Sequence, residues 1–156
     1  EDSQKVTPKQ RKEIGNWGER CVLRDLKKQY KRLSVIEDTE YGFCLKDEEN
    51  KTIEVCWLNI KSESGKGCDF VIKKGGIESE YIEVKTKLRD EEELIEITGT
   101  QWEFARRLFN RNEGDKYWIY AVFNAGQNNA KIQKIQNPIK LWREGRLYAH
   151  PINFKL

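Results

Sequence analysis

Residues 80–87, EYIEVKTK, alternate between two kinds of side chain and constrain the fold more than any other stretch. In an extended strand, three side chains would share the face that meets a core: Ile82, Val84 and Thr86. The opposite face would carry Tyr81, Glu83, Lys85 and Lys87. Residues two apart on one face lie roughly 7 Å from each other. The stretch therefore predicts a strand that carries a carboxylate and an ammonium group side by side.

A second apolar run, residues 67–72 (GCDFVI), lies shortly before this strand. Lysines and glycines at 73–76 separate the two runs, which is typical of a hairpin connection. Pairing the two strands would bring Asp69 beside Glu83. Two converging carboxylates next to a lysine suit a hard divalent cation and an attacking water. Asp69, Glu83 and Lys85 are therefore the candidate site.

Each of these residues also has a purely structural interpretation. Glu83 and Lys85 fit the exposed face of an edge strand, where charge discourages aggregation. Asp69 fits a turn residue that caps the loop at 65–67. The sequence leaves both interpretations open.

The first helix is indicated by local signals. Thr7, Pro8 and Gln10 suit an N-cap, a first helical position and a capping-box partner, and apolar residues then recur every three or four positions over 8–32. Gly15 and Gly18 interrupt this helix, and each costs up to about 1 kcal/mol relative to alanine. We expect another backbone to approach closely there, with Glu19 carried towards that contact. The alternative is that Glu19 is a solvated helix residue.

The rest of the chain alternates apolar runs with turns, a layout that predicts one α/β sheet. A turn is expected at 46–51, and strands are expected at 33–37, 41–45, 52–60, 94–97, 117–123, 130–135 and 146–150. Thr100 and Glu103 suggest a second capping box, opening a helix to about Asn110. Its buried face would consist of Trp102, Ala105, Leu108 and Phe109.

The outer face of this second helix would carry Glu103, Arg106, Arg107 and Asn110. The two arginines lie on a helix that begins near the candidate site, so we expect them to be available to a ligand bound there. Gln101, in the first turn, is either an ordinary helix residue or a group that holds the attacking water or a phosphate.

Composition limits the class of protein. At 156 residues the chain is the size of one domain, and we expect a single domain over 1–156. With 29 basic and 26 acidic residues the net charge is only +3, so any basic surface must be local. Four cysteines without a CxxC pair and a single histidine argue against zinc, and no apolar run is long enough to span a membrane. We expect a cytoplasmic protein, or a nuclear one if eukaryotic. The first residue is Glu1 and methionine is absent, which suggests a piece excised from a longer protein.

Five ordered blocks carry a family resemblance: residues 14–19 (IGNWGE), 67–70 (GCDF), 82–86 (IEVKT), 101–105 (QWEFA) and 117–120 (YWIY). They resemble the NO VEIN C-terminal domain family, an Mrr-like branch of the PD-(D/E)xK nuclease superfamily that is often appended to helicase, ATPase or restriction-type proteins. The resemblance implies a restriction-endonuclease-like core, with a central mixed β-sheet flanked by helices in the order α-β-β-β-α-β. Residues 38–60 would be a hairpin insertion in this core.

The resemblance also implies a metal-dependent DNA endonuclease. Asp69, Glu83 and the backbone carbonyl of Val84 would bind Mg²⁺ or Mn²⁺, and Lys85 would position the water or stabilise the transition state. Glu19 would anchor the water shell of the metal or help to hold a second ion. The remaining implied site residues are Gln101, where many relatives carry Glu, and the nucleic-acid contacts Lys87, Arg106 and Arg107.

A second hypothesis belongs to a different class. The same fold could serve as a nucleic-acid-binding or protein-docking module without catalysis inside a larger assembly. The expected partners are DNA, other domains of a parent protein of helicase, ATPase or DNA-recognition type, and a second copy of the chain as a homodimer.

Overall fold

The first helix begins where the cap signals place it. A computed structural model describes residues 6–60, 65–89 and 95–149. Helix α1 spans Pro8–Lys31, and Thr7 and Gln10 form the predicted capping box. Its buried face includes Val22, Leu26 and Tyr30.

Within the described residues, one seven-stranded sheet follows the order of the sequence. The strands are β1 (Ile36–Thr39), β2 (Gly42–Lys46), β3 (Thr52–Trp57), β4 (Phe70–Lys74), β5 (Ile77–Thr86), β6 (Tyr117–Phe123) and β7 (Lys131–Gln136). Only β5 and β6 pair in parallel, and α2 (Gly99–Asn110) lies in the connection between them, as a parallel pair requires. A short helix, α3 (Pro138–Arg143), follows β7. The prediction of an α/β protein with a mixed sheet is confirmed.

The sheet separates two apolar clusters. The first joins α1 to one face of the strands, and Ile82 and Val84 belong to it. The second joins residues of α2 and α3 to the other face, and Tyr81 belongs to it. The alternation predicted for residues 80–87 is therefore confirmed, with the difference that both faces of β5 are covered. None of the described helices is long and apolar enough to cross a membrane.

The two glycines of α1 have different surroundings. A Cβ added at Gly18 would collide with the side chain of Thr86, 2.8 Å from its Cβ. A Cβ added at Gly15 would meet no atom within 4 Å. The predicted close approach is therefore confirmed at Gly18, where the neighbour is a side chain rather than backbone. It is wrong for Gly15.

Gly18→Ala is expected to lower the free energy of unfolding by about 1–3 kcal/mol, because α1 must move away from β5 to make room for the methyl group. The matched control is Gly15→Ala on the same helix, which should instead raise it by up to about 1 kcal/mol through helix propensity. Chemical denaturation of the two variants measures both effects. Equal stabilities would contradict the close contact of Gly18 with Thr86.

Several boundaries differ from the predictions. Strand β1 begins at Ile36 rather than at 33, and Leu33 and Val35 are exposed. Strands β2 and β3 form the predicted hairpin, with its turn closed by hydrogen bonds from the amides of Glu49 and Lys51 to the Asp47 side chain. Both strands are part of the main sheet, and whether residues 38–60 are an insertion stays a prediction.

Two predicted strands are wrong where the structure describes them. Residues 95–97 form no regular structure, because β5 is already paired on both sides and offers no free edge. Residues 146–149 form no strand either, since Gly145 ends α3 at a positive φ of 69° and the amides of Arg146 and Leu147 bond back to Leu141. Leu94 and His150, the outer ends of these two predictions, lie outside the described residues. Helix α3 was not predicted from the sequence.

Candidate functional site

Asp69 joins the start of β4 to residues 82–84 of β5 by hydrogen bonds, at the opposite end of β4 from the hairpin turn. It immediately precedes β4, and its amide donates to the Ile82 carbonyl over 2.8 Å. Its Oδ2 accepts a hydrogen bond from the Val84 amide at 2.7 Å, and its Oδ1 accepts one from Asn59 Nδ2 at 2.6 Å. The predicted hairpin pairing is thus confirmed, and it brings Asp69 beside residues 82–84.

Glu83 is the one buried charged residue in the described part of the chain, with 4% of its surface exposed. Its Oε1 accepts a hydrogen bond from Gln101 Nε2 at 2.5 Å and lies 3.2 Å from Lys85 Nζ. Lys85 Nζ also donates to Gln101 Oε1 at 2.8 Å. The three side chains therefore form a closed network on the face of the sheet that meets α2.

Gln101 also determines where α2 begins. The sequence contains two overlapping capping boxes, and the structure uses the earlier one, in which Thr98 Oγ1 accepts from the Gln101 amide and Gln101 Oε1 accepts from the Thr98 amide. The predicted N-cap at Thr100 is wrong, because Gln101 is held at the site by Glu83 and Lys85. Glu103 does not complete a capping box and instead binds the guanidinium of Arg106.

Glu19 reaches the site from the other face of the sheet. It follows Gly18, whose contact with Thr86 holds this turn of α1 against β5. Its Oε2 accepts a hydrogen bond from the indole Nε1 of Trp57, and its charge contributes to raising the pKa of Glu83. Among the residues that the structure describes, however, no three His, Cys, Asp or Glu side chains come close enough to hold one ion together.

The two central carboxyl groups are both harder to ionise than usual. Burial, together with the negative charge of Asp69, raises the pKa of Glu83 to about 7, although Lys85 opposes this. Burial also raises the pKa of Asp69, against the effects of the Val84 amide, Lys85 and Asn59. Burial therefore outweighs the stabilising effect of Lys85 on both carboxylates.

A divalent cation fits this donor set. Carboxylate and carbonyl oxygens are the ligands that Mg²⁺ and Mn²⁺ prefer, and a cation beside the two acids would favour their ionised forms, which burial disfavours. Each oxygen of Asp69 accepts one hydrogen bond, but a carboxylate oxygen has a second acceptor position. The amide of Val84 points to Asp69, and the carbonyl of a strand residue points to the same side as its amide.

The predicted nucleic-acid contacts belong to two elements, α2 for the arginines and the end of β5 for Lys87. Arg106 and Arg107 are exposed on the outer face of α2, as predicted, roughly 8 Å along the helix from Gln101. Arg106 pairs with Glu103, whereas the Arg107 guanidinium lies over the ring of Phe104. Lys87 directly follows β5, and its amide bonds to the Val122 carbonyl.

Two site residues were missed by the sequence analysis, Asn59 and Trp57. Both were assigned to a strand over 52–60, but β3 ends at Trp57 and Asn59 lies in the following turn. Asparagine is a common turn residue, which was an available signal for the end of the strand. No local pattern signals that these side chains reach Asp69 and Glu19.

The raised pKa of Glu83 predicts that the metal-free protein loses stability as the pH rises. The folded state holds the proton more tightly than the unfolded state, so the contribution of Glu83 to the free energy of unfolding is largest below pH 4.5, the ordinary pKa of a glutamate, and is lost as the pH rises to about 7. A shift of this size corresponds to roughly 3 kcal/mol. Denaturation between pH 5 and pH 8 should show a steeper fall for the wild type than for Glu83→Gln. Identical pH profiles would contradict the burial of an ionisable Glu83.

Fold and site together define an α/β protein in which the buried carboxyl group of Glu83, the half-buried one of Asp69 and a lysine lie where the start of β4 pairs with β5. Residues 18–135 match the family model described as protein NO VEIN, C-terminal, and the chain belongs to this family. Glu19, Asp69, Glu83, Lys85 and Gln101 all fall within the matched range.

The relatives are much longer proteins. Protein NO VEIN of Arabidopsis thaliana is 32% identical over 111 residues, which cover 71% of this chain and 4% of that protein. Protein NO VEIN-LIKE of the same plant is 29% identical over 111 residues, which cover 71% of this chain and 16% of that protein. The chain thus spans a small part of these relatives. No solved structure matches it.

Proposed function

We propose that this domain is a Mg²⁺- or Mn²⁺-dependent DNA endonuclease of the PD-(D/E)xK type, with a restriction-endonuclease-like core. The observation that supports the proposal is that Asp69, Glu83 and Lys85 come together where the start of β4 pairs with β5. Glu83 is buried there, and Lys85 Nζ lies 3.2 Å from Glu83 Oε1. A buried acid whose pKa is raised by burial and by another carboxylate is a frequent property of catalytic sites.

Each residue has a role in this proposal. Asp69, Glu83 and the Val84 carbonyl would hold the ion, which, when bound, lowers the pKa of a water and neutralises charge on the phosphate. Lys85 would donate to a phosphate oxygen as negative charge develops there. Gln101 would hold the Lys85 ammonium and the Glu83 carboxylate in fixed positions relative to each other, since it bonds to both from the first turn of α2. Glu19 would act from α1 on the water shell of the ion.

The proposal is tested by incubating supercoiled plasmid with the purified domain in Mg²⁺, in Mn²⁺ and in excess EDTA. We expect nicked and linear products with either ion and none with EDTA. Cleavage that persists in EDTA would contradict metal dependence, and intact plasmid under every condition would contradict nuclease activity of the domain.

A second candidate is a binding or docking module without catalysis. It is favoured by the hydrogen bonds that both oxygens of Asp69 already accept, and by the lack of a three-ligand group in the described part of the chain. Here the network would be structural and would position the surface for DNA or for other domains of a parent protein. A module of this kind would bind DNA in EDTA as well as in Mg²⁺, and Mn²⁺ would not stabilise it.

If DNA contacts the outer face of α2, Arg107 is expected to contribute more to binding than Arg106. Arg106 must first break its bidentate hydrogen bonds to Glu103. The guanidinium of Arg107 instead lies over the ring of Phe104, a weaker contact. Arg107→Ala should therefore reduce the slope of log affinity against log salt by about 0.9, the value for one phosphate contact. Arg106→Ala is the matched control and should change the slope less. Equal slopes for both variants and the wild type would show that this face does not contact DNA.

A further inference from the structure

Two adjoining cavities lie between the first half of α1 and the end of β5. The apolar cavity, about 660 Å³, is lined by Trp17 and by Val6, Ile14 and Leu88. The basic groove, about 450 Å³, shares Val6, Ile14 and Leu88 and extends along the end of β5 to Lys85. The two cavities are therefore parts of one depression that ends at the candidate site.

The basic groove is strongly polarised in charge. Four cationic residues line it, Arg11, Lys85, Lys87 and Arg89, of which Lys85 is also paired with Glu83. No acidic residue is among the described residues of its lining, whereas Glu13 lines the apolar cavity. In a chain with 29 basic and 26 acidic residues, this is a local basic surface of the kind that the net charge of +3 does not reveal. Such a surface is complementary to a phosphate backbone.

Gly15 provides a second, independent observation. It lines the basic groove, and a Cβ at this position would meet no atom within 4 Å. Packing therefore does not require a glycine, although a glycine inside a helix costs about 1 kcal/mol relative to alanine. The missing side chain leaves the floor of the groove open, which suits close approach of a ligand to the helix.

We propose that this depression binds one unpaired nucleotide of a single nucleic-acid strand, with its phosphates in the basic groove and its base against Trp17 in the apolar cavity. The proposal rests on the proposed function in one respect, because the reacting phosphate would lie at the Lys85 end of the groove. Both volumes fall in the range of pockets that hold a drug-sized ligand, which is also the size of a nucleotide.

The apolar cavity favours a single strand over a duplex. The bases of a duplex are stacked and paired, whereas a base can enter a pocket only when it is unstacked. An acidic peptide would satisfy the basic groove but has no group that requires the neighbouring aromatic pocket. Stacking of a base on an aromatic side chain is tolerant of sequence, so we expect little sequence preference at this position.

The test measures binding in EDTA, where no metal-dependent cleavage takes place. A fluorescent 12-nucleotide DNA strand is titrated with the wild type and with Gly15→Leu, which fills the groove. A blocked groove also keeps the base from reaching Trp17, so we expect Gly15→Leu to weaken binding about tenfold or more, in line with the loss of one stacked base. The matched control is Asn16→Leu, an exposed neighbour on α1 that lines neither cavity, and it should bind like the wild type.

Charge is tested separately. Arg11→Ala should reduce the slope of log affinity against log salt by about 0.7, the value for one phosphate of a single strand. Lys12→Ala, which removes an exposed cation next to it, should leave the slope unchanged. Thermal melting checks that every variant folds. If Gly15→Leu does not fold, Gly15→Ala and Arg11→Ala still test the groove. The methyl group of Gly15→Ala narrows the groove without colliding with any neighbouring atom.

Three results would overturn the inference. The first is wild-type affinity in folded Gly15→Leu, or in both Gly15→Ala and Arg11→Ala. The second is tighter binding of the matching duplex than of the single strand, and the third is that poly-glutamate competes for the site as well as unlabelled single-stranded DNA does. The last result would identify an acidic peptide as the ligand. Binding that follows the expected pattern in a protein that never cleaves DNA would disprove the proposed nuclease activity and leave the nucleotide site standing.

Discussion

Replacing Lys85 by alanine is expected to lower the rate of DNA cleavage about 10²- to 10³-fold, the usual loss when one donor to a transition-state charge is removed. Lys85 Nζ is held between Glu83 Oε1 and Gln101 Oε1, on a side chain that is 18% exposed. The variant should still fold, because Lys85 belongs to neither apolar cluster. Its stability should fall by about 1–3 kcal/mol, since Glu83 loses a charged partner.

The control for Lys85→Ala is Lys74→Ala, which removes an exposed lysine at the far end of β4. It should cleave DNA at the wild-type rate. Val84→Asp provides the opposite comparison, since it places a charge in the apolar cluster under α1 and should prevent folding. Single-turnover rates and melting temperatures of the three variants separate catalysis from folding. Full activity in folded Lys85→Ala would rule out the proposed mechanism.

The second large effect concerns the response of stability to metal. An ion that binds only the folded state at 100 times its Kd adds about 2.7 kcal/mol, or roughly 5–10 °C in Tm for a domain of this size. Mn²⁺ should therefore raise the Tm of the wild type, and the pair Asp69→Asn with Glu83→Gln should lose this gain. Without metal the amide pair should lose less stability than the wild type between pH 5 and pH 8, because burial raises the pKa of both acids and makes their ionised forms costly.

The matched control for the metal response replaces two exposed carboxyl groups, Glu37→Gln with Glu48→Gln, and should keep the full wild-type shift. Differential scanning fluorimetry with and without Mn²⁺ gives all three values. A shift in the amide pair equal to that of the wild type would place the metal site elsewhere in the protein.

Short sequence patterns correctly predicted those features of the fold that are determined by residues close together in the sequence. The capping box of Thr7 and Gln10 gave the start of α1 because its hydrogen bonds join residues three apart. The alternation of residues 80–87 likewise gave the faces of β5. Where two local signals competed, the sequence could not decide between them, since Thr98 and Thr100 both precede a suitable partner by three residues. Thr98 is the N-cap because Gln101, its capping-box partner, also bonds to Glu83 and Lys85. These two residues lie 16 or more positions away in the sequence.

The same limit applies to the site. Asp69, Glu83 and Lys85 were predictable because one hairpin brings them together. The hydrogen bond of Trp57 to Glu19 joins residues 38 positions apart, and no periodicity of either element indicates it. The role of Gly15 is a further case, because only the structure distinguishes a glycine that packs closely, such as Gly18, from one that leaves a groove open.

We propose that Asp69 and Glu83 together hold one divalent ion, and that DNA cleavage depends on this ion and on Lys85. The most direct test is the single-turnover cleavage rate of a labelled DNA strand as a function of Mg²⁺ concentration, for the wild type beside Asp69→Asn with Glu83→Gln. We expect a rate that rises to saturation with Mg²⁺ in the wild type and no measurable cleavage by the folded amide pair. Cleavage by the amide pair at the wild-type rate, or a wild-type rate that does not depend on Mg²⁺, would contradict it.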